Sequence, residues 1–367
     1  MISKLVEMSN KYGKDSAMVL AGGGNTSWKN NELMFIKGSG TQLATIQADG
    51  FVGMQRSKIN AIFEKQYPAA DMEREAAVLK DMMNARLLGN GGKRPSVEAA
   101  LHHLMKYSYV LHLHPALVNG LTCGKTGKET ADRLFGDSYT WIPVCKPGYT
   151  LSMKCREALG SFKTKFQYDC RLIILQNHGI FFAADTLEEM DTLVMDTVST
   201  ITKEIKTAYD FSDIPYDSKR MISAKNEMQR ILNKNEREIA FLINRDIHNV
   251  TMEQNGFAPL AKPFTPDHIV YCRPSVLWSE GKNIEQDIQV FIKLNGYAPK
   301  IIAIKQLGIF AVGDSEKDLK NVCDLFLDAM KIAAFSKNFG GYLPMPDELV
   351  HFIAHWEIES YRSKMVQ

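Results

Sequence analysis

No apolar run in these 367 residues approaches the roughly 18 that a membrane-crossing helix needs. No charge sign dominates: 44 Lys and Arg stand against 42 Asp and Glu, a net +2, so there is no basic footprint for nucleic acid or anionic lipid. The six cysteines are widely spaced and form no CxxC pair, which suits reduced structural thiols in a cytoplasmic protein. Residues 1–15 scatter their charges and lack an apolar signal core, so no secretion signal is expected. Neither of the glycine-rich loops, 22–27 and 37–41, matches a P-loop, for want of GK[ST] there, or the dinucleotide fingerprint GxGxxG. What is present is 45% hydrophobic residues, enough for a sizeable core, over a length that suggests two domains.

Glycine and small polar residues break up the first forty positions, at Gly22-Gly23-Gly24-Asn25-Thr26-Ser27 and Lys37-Gly38-Ser39-Gly40-Thr41. A short strand at 32–36 lies between them, which suggests a hairpin. Ala76, Leu79, Met83 and Leu87 form one stripe of a helix over 72–88, ended by the glycines of 89–92. Pro95-Ser96 opens a second helix over 97–106, with Ser96 as N-cap. Strands follow at 109–114, 171–176 and 180–183, the last two joined by a sharp Asn177-His178-Gly179 turn. An amphipathic helix covers 187–209. The Pro-, Asp- and Ser-containing stretch 211–218 marks a boundary between domains 1–210 and 219–367. Beyond it, 219–246 reads as charged helix, with strands near 268–272, 300–305 and 309–312 and helices at 316–335 and 346–364. Strands alternating with helices in both halves indicate an α/β arrangement.

The chemistry-bearing residues start with His112 and His114, on one face of a strand because side chains at i and i+2 project together. They suit a shared divalent cation, with His178 as a third ligand and an open coordination position. The pattern alone fits two hydrogen-bonded histidines beside Pro115 about as well. Glu98 is either an acidic residue in the first turn of a helix, favoured by the dipole there, or a general base near the metal; spacing alone favours the former. The two glycine-rich loops are either ordinary turns or clusters of N–H groups for an anion. His351 and His355, interleaved with Phe352, Ile353 and Trp356, read as packing residues rather than a metal pair.

These segments occur together in a telling order: Gly24-Asn25-Thr26-Ser27, Lys37-Gly38-Ser39-Gly40, Arg94-Pro95-Ser96-Val97-Glu98, His112-Leu113-His114-Pro115, Pro147-Gly148 and Asn177-His178-Gly179. The set resembles the class II aldolase/adducin family over about residues 15–210. With Thr265-Pro266-Asp267-His268 and the 308–313 strand, it looks most like the aldolase part of bifunctional rhamnulose-phosphate aldolase/alcohol dehydrogenases, without the dehydrogenase part. The resemblance implies a three-layer α/β/α sandwich around a mainly antiparallel central sheet, with a C-terminal α/β extension. It implies Zn2+ or another divalent transition metal on His112, His114 and His178, and Glu98 as acid/base. Asn25, Ser39, Gly40 and Ser96 would line a substrate phosphate or carboxylate. Val97 stands where relatives often have a second Ser or Thr, which removes one phosphate hydrogen bond.

The expected function is metal-dependent retro-aldol cleavage of a ketose phosphate through a metal-stabilised enediolate. Epimerisation, decarboxylation or dehydration of a related sugar phosphate or sugar acid at the same site is the alternative. A non-catalytic, adducin-like interaction module is the rival of a different class, disfavoured by the presence of all three histidines and Glu98. The expected partner is a small sugar phosphate or sugar acid, with no nucleic acid or membrane, in a homo-oligomer. The segment 270–274 can be laid over 111–115 and 306–310 over 177–181, so the second half is expected to be a metal-free echo of the first, with Tyr271 and Arg273 on one strand face.

Overall fold

A computed structural model of the protein describes residues 1–89, 92–232 and 237–356. The expected helix over 346–364 is seen as Asp347–His355; its positions 357–364 lie outside the described residues. The chain divides into two compact units, one built on Met1–Thr122 and Thr126–Glu204, the other on Cys123–Lys125 and Ile205–Ala354.

The first unit is organised by seven strands: β1 (Asn25–Lys29), β2 (Leu33–Lys37), β3 (Phe51–Gln55), β4 (Tyr109–Leu113), β5 (Thr140–Ile142), β6 (Leu172–Leu175) and β7 (Gly179–Ala184). Their order is β3-β2-β1-β4-β7-β6-β5, antiparallel throughout except for the β5–β6 pair. Both faces are covered, so the strands are almost wholly buried, as a three-layer α/β/α sandwich requires. On one face Val110, Ile173, Phe181 and Ala183 pack under the helices Ala99–Leu104 and Tyr149–Phe166. Nearby, Met34, Ile36, Val52 and Met54 meet the helices Arg56–Glu64 and Asp71–Asn84. On the other face Thr26 Oγ1 meets Ser9 of the helix Ile2–Gly13 at 2.6 Å, and the helix Leu187–Thr202 packs on β7.

Several local expectations change. The residues Asn25-Thr26-Ser27, expected as part of a loop, open β1 instead, because each pairs with β4 as well as continuing the chain. The helix expected over 97–106 spans only Ala99–Leu104, with Glu98 rather than Ser96 at its N-cap. The 187–209 helix stops at Thr202.

The second unit holds a four-stranded sheet of β8 (Glu238–Leu242), β9 (Leu277–Ser279), β10 (Ile301–Ile304) and β11 (Gly308–Gly313), in the order β8-β11-β10-β9. The order and senses are those of β4-β7-β6-β5: antiparallel, antiparallel, then parallel. In register, His112↔Phe181 has its counterpart in Phe241↔Phe310, and Leu113↔Ile180 in Leu242↔Ile309. Both hairpins turn on a positive-φ residue, Asn177 at 56° and Gln306 at 54°. Both lead into a helix capped by a hydroxyl, Thr186 or Ser315.

Two expectations fail in this half. The stretch 219–246 is not one helix: the helix Ser218–Leu232 is followed by β8. Residues 268–272 are not a strand but part of the helix Pro266–Cys272, because Thr265 caps it, Pro266 fixes its first turn and the His268 side chain closes a capping box. Tyr271 and Arg273 therefore share no strand face, and the strand that answers β4 is β8. His351 and His355 are exposed, while Leu349, Phe352 and Ile353 of the same helix are buried.

Candidate metal centre and acid/base site

Three chain segments build the site at one end of the long sheet. β4 carries His112 and delivers His114 one residue past its end, on the same side. The β6–β7 turn presents His178, with Asn177 at positive φ holding the turn and His178 N bonded to Leu175 O at 3.3 Å. Gly179 follows because no side chain fits there: a Cβ would lie 2.5 Å from Leu113 O, 2.7 Å from His114 Cδ2 and 3.2 Å from His112 Cε1. Gly24 is similarly required, since its φ is 62° and a Cβ would come within 2.7 Å of His112 O.

The three imidazoles converge. One ring nitrogen from each of His112, His114 and His178 lies within 4.8 Å of the others, and His112 Nε2 is 2.9 Å from His114 Nε2. Tetrahedral zinc with Zn–N near 2.0–2.1 Å would set such nitrogens about 3.4 Å apart, so small side-chain rotations suffice. His112 Nδ1 lies 2.9 Å from Ile180 O, so this nitrogen carries the proton and Nε2 offers its lone pair. The His112 ring stacks on Phe181, with centroids 3.9 Å apart at 12°, which holds its plane.

Glu98 faces this cluster. Its Oε2 is 3.3 Å from His112 Nε2 and its Oε1 is 3.6 Å from His178 Nε2. The carboxyl is buried, yet Oε1 accepts no hydrogen bond among the described residues. A buried carboxylate oxygen left unsatisfied beside three converging imidazoles is what a cation site provides for, so the residues present fit a divalent metal. The N-cap position matters here: Glu98 makes no side-chain bond to the helix N-terminus, so its carboxylate is directed to the histidines and not spent on capping.

Of the four expected anion-binding residues, Ser39 and Ser96 line a common cavity. Ser39 N bonds to Arg94 O at 2.8 Å and Ser96 N to Lys37 O at 3.0 Å, which stitches the two loops together. Ser39, Ser96 and Arg94 line that cavity with Gly148 and the buried Glu75. Gly40 adopts φ 82° in the turn beside it. Lys37 Nζ donates at 2.9 Å to both Gly22 O and Gly24 O, so its charge braces the glycine-rich loop. Asn25 lies elsewhere, against Glu98: its Nδ2 donates to Glu98 Oε2 at 2.6 Å.

Sequence reasoning missed His102, Ser27 and Glu75. His102 is the fourth residue after Glu98, one helical turn on, and that spacing was available as a signal. Glu75 gave none, since an acidic residue in a charged helix is ordinarily exposed.

Residues 3–198, more than half of the chain, match the model of the Class II Aldolase and Adducin N-terminal domain. The chain belongs to this family. His112, His114 and His178 and Glu98 all lie within the matched residues. The uncharacterized oxidoreductase YuxG of Bacillus subtilis is 23% identical over 419 aligned positions, which include 98% of this chain and 58% of that protein. The chain thus spans little more than half the length of that relative. Among solved structures, the N-terminal class II aldolase domain of a conserved Thermoplasma acidophilum protein is 25% identical, covering 55% of this chain and 92% of its own, with a TM-score of 0.46. L-fuculose-1-phosphate aldolase from Thermus thermophilus is 14% identical, covering 55% and 94%, with a TM-score of 0.36. Among the described residues, no helix is long and apolar enough to cross a membrane.

Proposed function

We propose that the chain is a divalent-metal-dependent aldolase that cleaves a ketose phosphate. The observation that carries this reading is the buried Glu98 carboxylate, one oxygen unsatisfied, within 3.3 and 3.6 Å of two of three converging imidazoles. A purely structural acid at a helix start has no reason to face three potential metal ligands.

His112, His114 and His178 would hold the metal, which when bound supplies Lewis acidity toward the carbonyl and neighbouring hydroxyl oxygens of a sugar. Glu98 handles the carbon-bound proton. In cleavage, the bond between the carbon next to the ketone and its hydroxyl-bearing neighbour breaks. The neighbour loses its hydroxyl proton to solvent and departs as an aldehyde. The electron pair stays with the ketone fragment, and Glu98, protonated from solvent beforehand, gives that proton to the carbon and is left as the carboxylate. In condensation Glu98 removes that same proton. Ser39, Gly40, Ser96 and Arg94 would receive the substrate anion, and Val97 offers it no hydroxyl. The second unit is, in this reading, a metal-free echo of the first, with Phe241, Ile243 and Leu307 where the first has His112, His114 and His178.

The test is solvent exchange of the carbon-bound proton of a hydroxyketone phosphate, followed by NMR in D2O. Glu98→Gln is nearly isosteric and should retain zinc while losing exchange by roughly 100- to 10,000-fold. Exchange at the wild-type rate in Glu98→Gln would reduce Glu98 to a helix-start residue.

A further inference from the structure

Glu98 is held by a line of buried side chains that the aldol chemistry does not itself use. Ser27 and Asn25 alternate along β1, so both point to the same side of the sheet. Facing them is the helix Ala99–Leu104, on which His102 follows its N-cap Glu98 by one turn, with His102 N bonded to Glu98 O at 3.0 Å. Ser27 Oγ lies 2.7 Å from His102 Nδ1. His102 Nε2 is hydrogen-bonded to Asn25 Oδ1. Asn25 Nδ2 donates to Glu98 Oε2 at 2.6 Å.

The donors and acceptors admit one direction. An amide oxygen only accepts, so His102 Nε2 must carry the proton. A neutral imidazole then has a bare Nδ1, which accepts from the Ser27 hydroxyl. Asn25, fixed by its oxygen, must turn its NH2 to Glu98. A flipped amide would set Oδ1 against the carboxylate and its NH2 against the protonated Nε2, losing both bonds. Burial keeps His102 neutral by pushing it well below its usual range, so the ring does not reverse this order by taking a second proton. The Phe181 ring lies edge-on to His102 at 5.3 Å and stacks on His112, and Ser27, Asn25 and His102 are all buried.

We propose that His102, with Ser27 behind it, is a positioning residue: it locks the Asn25 amide so that its N–H fixes Glu98 Oε2 and leaves Oε1 turned to the metal-ligand cluster. This rests on the reading of Glu98 as the proton-transfer group. It assigns to Asn25 a hydrogen bond to the base; the amide's second N–H is what it has to offer a substrate.

The test compares His102→Leu, which keeps the bulk and removes both bonds, with His102→Gln, which can accept from Ser27 and donate to Asn25. Ser27→Ala is a third, minimal variant in case His102→Leu does not fold. His102→Leu should lower kcat for proton exchange roughly 10- to 100-fold, as loss of an orienting hydrogen-bond partner does, with KM and zinc affinity unchanged. Ser27→Ala should show a smaller fall of the same kind, and His102→Gln should recover most of the rate. Equal losses in His102→Leu and His102→Gln, or an effect confined to KM or to zinc affinity, would overturn the assignment. A second readout needs no activity: 15N NMR of the wild-type protein should show His102 as the Nε2–H tautomer. A proton on Nδ1 refutes the line of bonds whatever the reaction. If the wild type exchanges no substrate proton, the proposed function fails, and the tautomer alone decides the line.

Discussion

Gly179→Ala adds one methyl group at the centre of the histidine cluster, and the structure says what that methyl meets. Its Cβ would lie 2.5 Å from Leu113 O and 2.7 Å from His114 Cδ2, both well inside the closest approach that real Cβ atoms tolerate. The carbonyl belongs to β4, whose Leu113 is paired with Ile180 one residue beyond the substitution, so it has little room to retreat. His114 is the softer neighbour, and it moves. Overpacking of this kind costs about 1–3 kcal/mol of stability. Displacing a ligand ring should also weaken zinc binding by roughly 10- to 100-fold. The control is the corresponding glycine of the second unit. A Cβ on Gly308 would come within 2.7 Å of the Phe241 ring, and its φ of 149° already disfavours a side chain. Gly308→Ala should therefore cost stability and leave zinc affinity untouched. Isothermal titration with zinc and thermal melts of the three proteins separate the two effects. Wild-type zinc affinity in Gly179→Ala would refute the claim that His112 and His114 are ligands set by the packing of that turn.

Two further outcomes follow from buried charges. Burial pushes the Glu75 carboxyl up to about 7, against a partial opposing pull from the Tyr149 N–H that it accepts at 3.2 Å. Its folded-state value lies above the ordinary one, so its contribution is fully present below about pH 4.5 and is lost as pH rises through about 7, roughly 3 kcal/mol in all. Glu75→Gln should accordingly raise the melting temperature at pH 8 much more than at pH 5; an equal shift at both would show that Glu75 titrates normally. In the second unit, Lys300 Nζ bridges both oxygens of the buried Asp318 at 2.9 and 2.7 Å. Lys300→Met leaves that carboxylate without its counter-charge and should cost about 3–5 kcal/mol in urea unfolding, and a change below about 1 kcal/mol would mean that Asp318 is satisfied by its other bonds alone.

Much of the site was legible in the sequence because its signals are local. His112 and His114 share a face through the two-residue period of a strand, and Asn177-His178-Gly179 announces a tight turn by its residue types alone. Period and turn chemistry also gave β10, β11 and the helix Glu316–Ser336 close to their observed limits. They misled where a cap outweighed a pattern: Thr265-Pro266 starts a helix through a run of apolar residues that, by composition alone, suits a strand. Charged flanks hid β8, whose place in the sheet comes from pairing with β11, 67 positions away in the Leu242↔Ile309 register.

The residue types at the histidine cluster and the turn that presents His178 were determined by the sequence itself, since each depends on neighbours within a few positions. Only the tertiary structure decided where the Glu98 carboxylate lies. Its carboxylate could have capped its own helix; instead β1, pairing with β4 in the Asn25↔His112 register, brings the Asn25 amide against it. The Ser27–His102–Asn25 line exists because a strand and a helix some 75 residues apart are packed together, and buried donors find their acceptors among the side chains facing them. That matching is a property of the packed interior, and no local spacing in the chain specifies it.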